Sequence, residues 1–198
     1  MPATLLLRDN IRHRRDIERA YLRAIDQARS EIILAHAYFL PGTDFRHALL
    51  QAARRGVRVV LLLQGRVEYL LQHYATRALY GQLLDGDIEI QEYRKSYLHA
   101  KVAVIDGHWA TVGSSNIDPF SLLLAREANV LVDDPTFAGE LRQVLQRTLA
   151  ADCQRILRES WQRQSLVLRF FSWSCYGLLR LLLGISGYVR ENDQADKE

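Results

Sequence analysis

Residues 57–63, Val-Arg-Val-Val-Leu-Leu-Leu, are apolar everywhere except Arg58 and lie between Gly56 and Gly65. A strand with apolar residues on both faces must be covered on both faces, as interior strands of helix-flanked sheets are. The neighbouring stretches supply such helices. Residues 12–29 repeat apolar positions at helical spacing, with Ile17, Tyr21 and Ile25 beside Ala20, Ala24 and Ala28. Thr43 is expected to cap a second helix that runs to about residue 55 and stops at Gly56. A third, rich in Leu and Tyr, covers residues 67–84. Strands are expected at residues 31–39, where Pro41-Gly42 ends the run, and at residues 88–93. The alternation predicts an α/β fold: a mixed β-sheet flanked by helices. A chain of 198 residues suffices for one such domain with a proper core.

Residues 99–116 read His-Ala-Lys-Val-Ala-Val-Ile-Asp-Gly-His-Trp-Ala-Thr-Val-Gly-Ser-Ser-Asn. His99 and Lys101 are two apart, so on a strand they share a face. Asp106-Gly107 is a turn signal, and residues 109–112 read as the returning strand. Gly113, Ser114 and Asn116 then arrive beside the start of the first strand. The hairpin thus gathers an imidazole, an ammonium, hydroxyls and a carboxamide. An imidazole can attack phosphorus or pass a proton, and the other groups can hold phosphoryl oxygens. That set suits attack on a phosphodiester.

His-x-Lys, four residues, Asp, six residues, Gly-Ser-x-Asn is the signature of the phospholipase D superfamily, which this chain resembles at every motif position. Several further stretches resemble the C-terminal half of a bacterial cardiolipin synthase. They are Tyr38-Phe39-Leu40-Pro41-Gly42, Arg54-Arg55-Gly56-Val57-Arg58-Val59, Tyr93-Arg94, Asn116-Ile117-Asp118-Pro119 and Glu127-Ala128-Asn129. The resemblance runs from about residue 9 to residue 156. It implies a phospholipase D-like catalytic domain over residues 1–157 and a phosphatidyl-histidine intermediate. A second histidine protonates the leaving alcohol and then deprotonates the acceptor hydroxyl. With phosphatidylglycerol as acceptor the product is cardiolipin; with water it is phosphatidic acid. His99 is nucleophile or general acid/base. Lys101, Ser114 and Asn116 hold the phosphoryl oxygens. Asp106 supports the hairpin, and Glu127 hydrogen-bonds the imidazole to fix its tautomer. No metal and no other cofactor is required, because side chains supply the positive charge.

The family enzymes carry two such motifs, and this sequence carries one. It is therefore expected either to lack a first half or to form a homodimer that brings two copies of His99 together. Two alternatives share the motif: a dimeric phosphodiesterase acting on nucleic acid, and a silent module that completes a partner chain. Nucleic acid is the weaker reading, because the basic residues are scattered rather than striped with aromatics.

The net charge of +3 and pI near 9.0 fit anionic partners without choosing among them. Met1-Pro2-Ala3 lacks a signal-peptide layout, and the only cysteines, Cys153 and Cys175, argue against a disulfide framework. Peripheral association with the cytoplasmic face of a bacterial inner membrane is the expected location.

Residues 158–198 differ in character. A helix is expected over residues 137–157, and residues 166–189 are then mostly Leu, Phe, Trp and Tyr, interrupted by Arg169 and Arg180. Ser165, Arg169, Ser172, Tyr176 and Arg180 fall on one helical stripe. That pattern predicts an amphipathic helix lying in the membrane interface rather than crossing it. The partners implied are phospholipid substrates, a membrane surface and a second motif-bearing half.

Overall fold

The computed structural model describes residues 2–9 and 11–185. One eight-stranded mixed sheet organises them. The strands are β1 (Ala3–Arg8), β2 (Glu31–His36), β3 (Arg58–Gln64), β4 (Glu89–Tyr93), β5 (Lys101–Ile105), β6 (Trp109–Gly113), β7 (Glu127–Asp133) and β8 (Cys153–Ile156). Their order across the sheet is β1-β7-β6-β5-β2-β3-β4-β8. Strands β2, β3 and β4 run parallel, and every other neighbouring pair is antiparallel. The 57–63 run becomes the interior strand its composition demands, with residues 59–64 buried.

The helices divide between two layers. On one face lie α1 (Asp16–Gln27), α2 (Thr43–Arg54), α3 (Leu70–Ala78) and α4 (Tyr80–Asp85). Short α6 (Arg158–Gln162) and long α7 (Leu166–Ile185) join them there. Ile17, Tyr21, Phe45, Leu49, Leu83, Trp161 and Leu179 from these helices share one core with Ile32, Leu34, Leu61 and Ala103 of the sheet. The other face carries α5 (Pro135–Asp152), whose Ala138 and Leu145 pack on Ile33, Ala35, Val60, Leu62 and Val104. Asp134 caps α5 by accepting from the Thr136 and Phe137 amides at 3.0 and 2.9 Å, with Pro135 in the first turn.

Several elements differ from expectation. β1 was not anticipated; it pairs with β7, Leu5 opposite Val130 and Arg8 opposite Glu127. Thr43 is the first residue of α2 rather than its cap; Gly42 takes the cap position, with no side-chain hydrogen bond there. The 67–84 helix is broken between α3 and α4 at Leu79. The helix expected to reach residue 157 ends at Asp152, and residues 153–156 form an edge strand on β4. The strand expected to reach Phe39 ends at His36, and Phe39 instead makes one parallel bridge to Ile117. Residues 120–124 form a π-helical turn, in keeping with the loop or short helical turn expected over residues 118–124. Residues 158–185 pack on the domain: Trp161 lies 5.0 Å from the Tyr80 ring, and Cys175 and Leu179 enter the core. The remainder of the expected tail, residues 186–198, lies outside the described residues.

Candidate active site

The antiparallel register decides which side chains meet. His36 of β2 stands opposite Lys101 of β5, and Gly113 of β6 stands opposite Asn129 of β7. Residues opposite each other share a face, and residues two apart on one strand do too. One end of the sheet therefore presents Lys101 and the preceding His99 beside Gly113-Ser114-Ser115-Asn116 and Glu127. The Phe39–Ile117 bridge and a 2.7 Å hydrogen bond from the Leu40 amide to the Ile117 carbonyl tie the 116–118 loop to the end of β2.

Lys101 Nζ donates to His99 Nε2 at 3.0 Å and to the His99 carbonyl at 3.2 Å. The ammonium has only protons to give, so Nε2 faces it with its lone pair and the ring proton resides on Nδ1. His99 is exposed while Lys101 is only 7% exposed. Burial pushes the lysine below its ordinary pKa, against the pull of Glu127, Asp118 and Glu68.

Asn116 Oδ1 accepts from the Tyr38 amide at 3.2 Å, which turns the carboxamide nitrogen away from Tyr38. Ser114 Oγ donates to Glu127 and accepts from the Ala128 amide at 3.1 Å. The hydroxyl proton is thus held by the carboxylate rather than offered to a ligand in this state. Glu127 meets Ser114, not His99; among the described residues the ring's hydrogen-bond partner is Lys101. Gly113 is required by space: a Cβ there would collide with the Asn129 carboxamide and the Ala128 carbonyl.

Asp106 is not brought to this site. It sits past the far end of β5, roughly 20 Å from His99 at about 3.3 Å per strand residue. Its two oxygens accept from the amides of Arg29, Ser30 and Glu31 and from the Ser30 hydroxyl, at 2.7–2.9 Å. Burial would raise its pKa, and these donors outweigh it, so the carboxyl stays below its usual value. It adopts φ +51° in the turn, an αL conformation that Asp tolerates.

Sequence reasoning missed Asp118 as a titrating group. It is 2% exposed and its carboxyl is pushed up to about 6, chiefly by burial and further by Glu127. The Phe120 and Ser121 amides, which it accepts at 2.8 and 2.9 Å, and the charge of Lys101 pull the other way. The Asp-Pro dipeptide before an apolar turn is the signal that could have found it. His36 lies within the core 6.0 Å from the Tyr21 ring, and neither of its ring nitrogens has a hydrogen-bond partner. Burial, then Lys101, pushes it down to about 3, so it is a neutral packed residue under the lysine.

A pocket of about 350 Å³, counting the space at its mouth, adjoins the site and is lined by Tyr38, Gln64, Glu68, His73 and Thr76 among others. Gln64 Oε1 accepts from the Leu98 amide at 3.0 Å, linking the pocket to the His99 segment, while its Nε2 is buried without a partner. The Tyr38 hydroxyl donates to Glu68 at 2.5 Å. Burial and the charges of Arg77 and Arg94 push His73 down to about 4. No group of three His, Cys, Asp or Glu side chains able to hold a metal ion occurs among the described residues.

The model of the family described as "Cardiolipin synthase, PLD-like domain" matches residues 21–149. The chain belongs to that family. Cardiolipin synthase B of Escherichia coli strain K12 is 52% identical over 152 residues, 77% of this chain and 37% of the relative. Cardiolipin synthase A of Proteus mirabilis is 32% identical over 166 residues, 84% of this chain and 34% of the relative. The chain thus spans little more than a third of these relatives' length. The fold matches the crystal structure of Nuc, a phospholipase D family member from Salmonella typhimurium, with a TM-score of 0.65 at 19% identity. That match covers 79% of this chain and 98% of the other.

Proposed function

We propose that this chain carries one half of a phosphatidyl-transfer site, and that two histidine motifs face each other when it is assembled. The observation that carries the reading is the Lys101 ammonium seated on the Nε2 lone pair of His99. An arriving phosphodiester offers the lysine a better partner in its non-bridging oxygen. Lys101 then moves to that oxygen, assisted by the Asn116 carboxamide, and the freed lone pair faces phosphorus. Attack forms a phosphorus–nitrogen bond and breaks the phosphorus–oxygen bond to the alcohol. The second motif's imidazolium gives its proton to the departing oxygen. Its ring, now neutral, removes the proton from the acceptor hydroxyl, whose oxygen attacks phosphorus and releases His99. In the alternative assignment His99 is that acid and base, and the partner motif is the nucleophile.

The 52% identity to a cardiolipin synthase supports phosphatidylglycerol as acceptor and phospholipids as substrates. Substrates of that kind place the protein at a membrane surface, and the cytoplasmic face of a bacterial inner membrane is the location we assign. The second motif comes either from a second copy of this chain or from a separate first half, since the chain spans 37% of the length of that relative. A homodimer would also serve the alternative of a phosphodiesterase that passes the intermediate to water.

The test is lipid product analysis by mass spectrometry, using the purified chain with phosphatidylglycerol in mixed micelles, excess chelator and a His99→Ala control. Cardiolipin from the wild type alone is the expected result. Phosphatidic acid alone selects the hydrolytic alternative. If no product forms even at concentrations where the chain is dimeric, the homodimer reading is wrong and a separate first half must supply the other motif.

A further inference from the structure

Helix α7 lies beyond the matched family region, which ends at residue 149, and it faces the wrong way for a water-soluble surface. Against α3 it turns Ser172, Cys175 and Leu179, all buried. Ser172 and Tyr176 were expected on a solvated stripe; instead Ser172 is 3% exposed and Tyr176 is partly buried. The bulky apolar side chains point outward. Leu166, Val167, Phe170, Trp173, Leu178, Leu181 and Leu182 are all exposed, Leu166 and Phe170 by more than three quarters.

At 100° per residue these outward positions form one broad sector. Its border is basic. Arg169 and Arg180, three turns apart, stand along one edge, and the Arg180 guanidinium lies 5.8 Å over the Tyr176 ring. Residues 160–185 contain Arg163, Arg169 and Arg180 and no acidic residue. The helix is also placed near the site. Trp161 of α6, just before α7, meets Arg77 in the last turn of α3 and Tyr80 beyond it, and Phe171 of α7 meets Tyr74 in the middle of α3. The later turns of α7 therefore approach the N-terminal end of α3, where Tyr69 and Leu70 are exposed beside the pocket.

We infer that the outward face of α7 docks in the interface of an anionic lipid bilayer, lying parallel to its surface. The apolar sector enters the acyl boundary, Trp173 sits at headgroup depth, and Arg169 and Arg180 meet lipid phosphates. With Ser172, Cys175 and Leu179 buried against the domain, only the opposite face of the helix is open to lipid, so it lies on the membrane rather than crossing it. A second copy is a poorer occupant: an antiparallel two-fold contact about this face would set the arginine edges against each other, and no acidic residue in 160–185 would pair with them. Docking requires no turnover and no second motif, so it can fail or hold independently of the proposed transfer reaction.

The experiment is co-sedimentation of the full chain with vesicles of phosphatidylcholine alone or with about one third phosphatidylglycerol. The wild type should pellet with the anionic vesicles, and less so at high salt. The double substitution Phe170→Glu with Leu181→Glu should weaken binding by about tenfold or more while the thermal melt is retained. Arg169→Glu with Arg180→Glu should abolish the preference for phosphatidylglycerol. Brominated lipids should quench tryptophan fluorescence in the wild type and not in Trp173→Phe. The His99→Ala chain should bind as the wild type does. Wild type remaining in the supernatant overturns the inference, as does binding unchanged by the Glu pair. A Glu pair that only converts a dimer to a monomer, with vesicle binding intact, gives the face to a second copy and overturns it equally.

Discussion

The β5–β6 hairpin has two polar ends, and they are built on opposite plans. At the turn, Asp106 accepts four hydrogen bonds from the chain's own groups and is finished. At the open end, His99 is exposed, Lys101 shares its protons with a ring nitrogen and a carbonyl, and the carboxyl of buried Asp118 is pushed up to about 6. Both ends draw on the same signature of residues. A carboxylate with its donors satisfied fixes a shape. A lysine resting on an imidazole lone pair is placed to exchange that partner for a ligand. The difference is between polar groups that hold the fold and polar groups kept available.

Substitution should separate the two ends. The largest effect is expected from His99→Ala, which should lower turnover of the assembled protein by about a thousandfold or more, roughly 4 kcal/mol. Its unfolding free energy should change by less than about 1 kcal/mol, because the ring is exposed. Asp106→Ala should do the reverse. Losing a charged acceptor from three amides and a hydroxyl should cost about 2–4 kcal/mol in urea unfolding. Turnover per folded molecule should be retained. A loss of turnover without a loss of stability would mean that Asp106 reaches the chemistry after all.

Asp118→Asn probes the available end through pH. The folded carboxyl titrates near 6, above its ordinary value of 3.8, so the folded state binds more protons than the unfolded between those values. Stability therefore falls as pH rises from about 4 through 6, by roughly 2–3 kcal/mol. An Asn that keeps the Phe120 and Ser121 bonds should remove that slope and melt higher than wild type at pH 8, but not at pH 4. Melting curves at the two pH values decide it. The smallest effect is expected from Tyr38→Phe, which removes the hydrogen bond to Glu68 at the pocket mouth and should cost under about 1 kcal/mol. Binding of the Tyr38 amide to Asn116 would be untouched.

The layering was legible because the 57–63 run has only one comfortable place, and the hairpin because its turn and its spacing agree. His99, Lys101, Ser114 and Asn116 could be placed at one end of the sheet from strand spacing and the turn, whereas Glu127 was assigned to the site only through the family resemblance. What escaped depends on partners far away in the chain. Residues 3–8 are too short a run to declare a strand until β7 is there to pair with them. Residues 153–156 continue the pattern of α5 and leave it only because the edge of β4 is open. The Ser114–Glu127 bond could not be read, since spacing brings two strand ends together without saying which side chains bond. The orientation of α7 was hidden for a related reason. Its helical wheel offers a polar stripe and an apolar sector, and the face buried against α3, with Ser172, Cys175 and Leu179, coincides with neither.

The pairing of β1 with β7 also bears on how the protein is made. The partners Arg8 and Glu127 are more than a hundred residues apart, and the Arg8 guanidinium further holds the carbonyls of Leu122 and Ala125. Leu5, Leu6 and Leu7 must then wait on the ribosome, unpaired, until β7 has been synthesised. At about 5–20 residues per second that interval lasts many seconds. The candidate site, whose Glu127 lies in the same strand, is completed at the moment that wait ends.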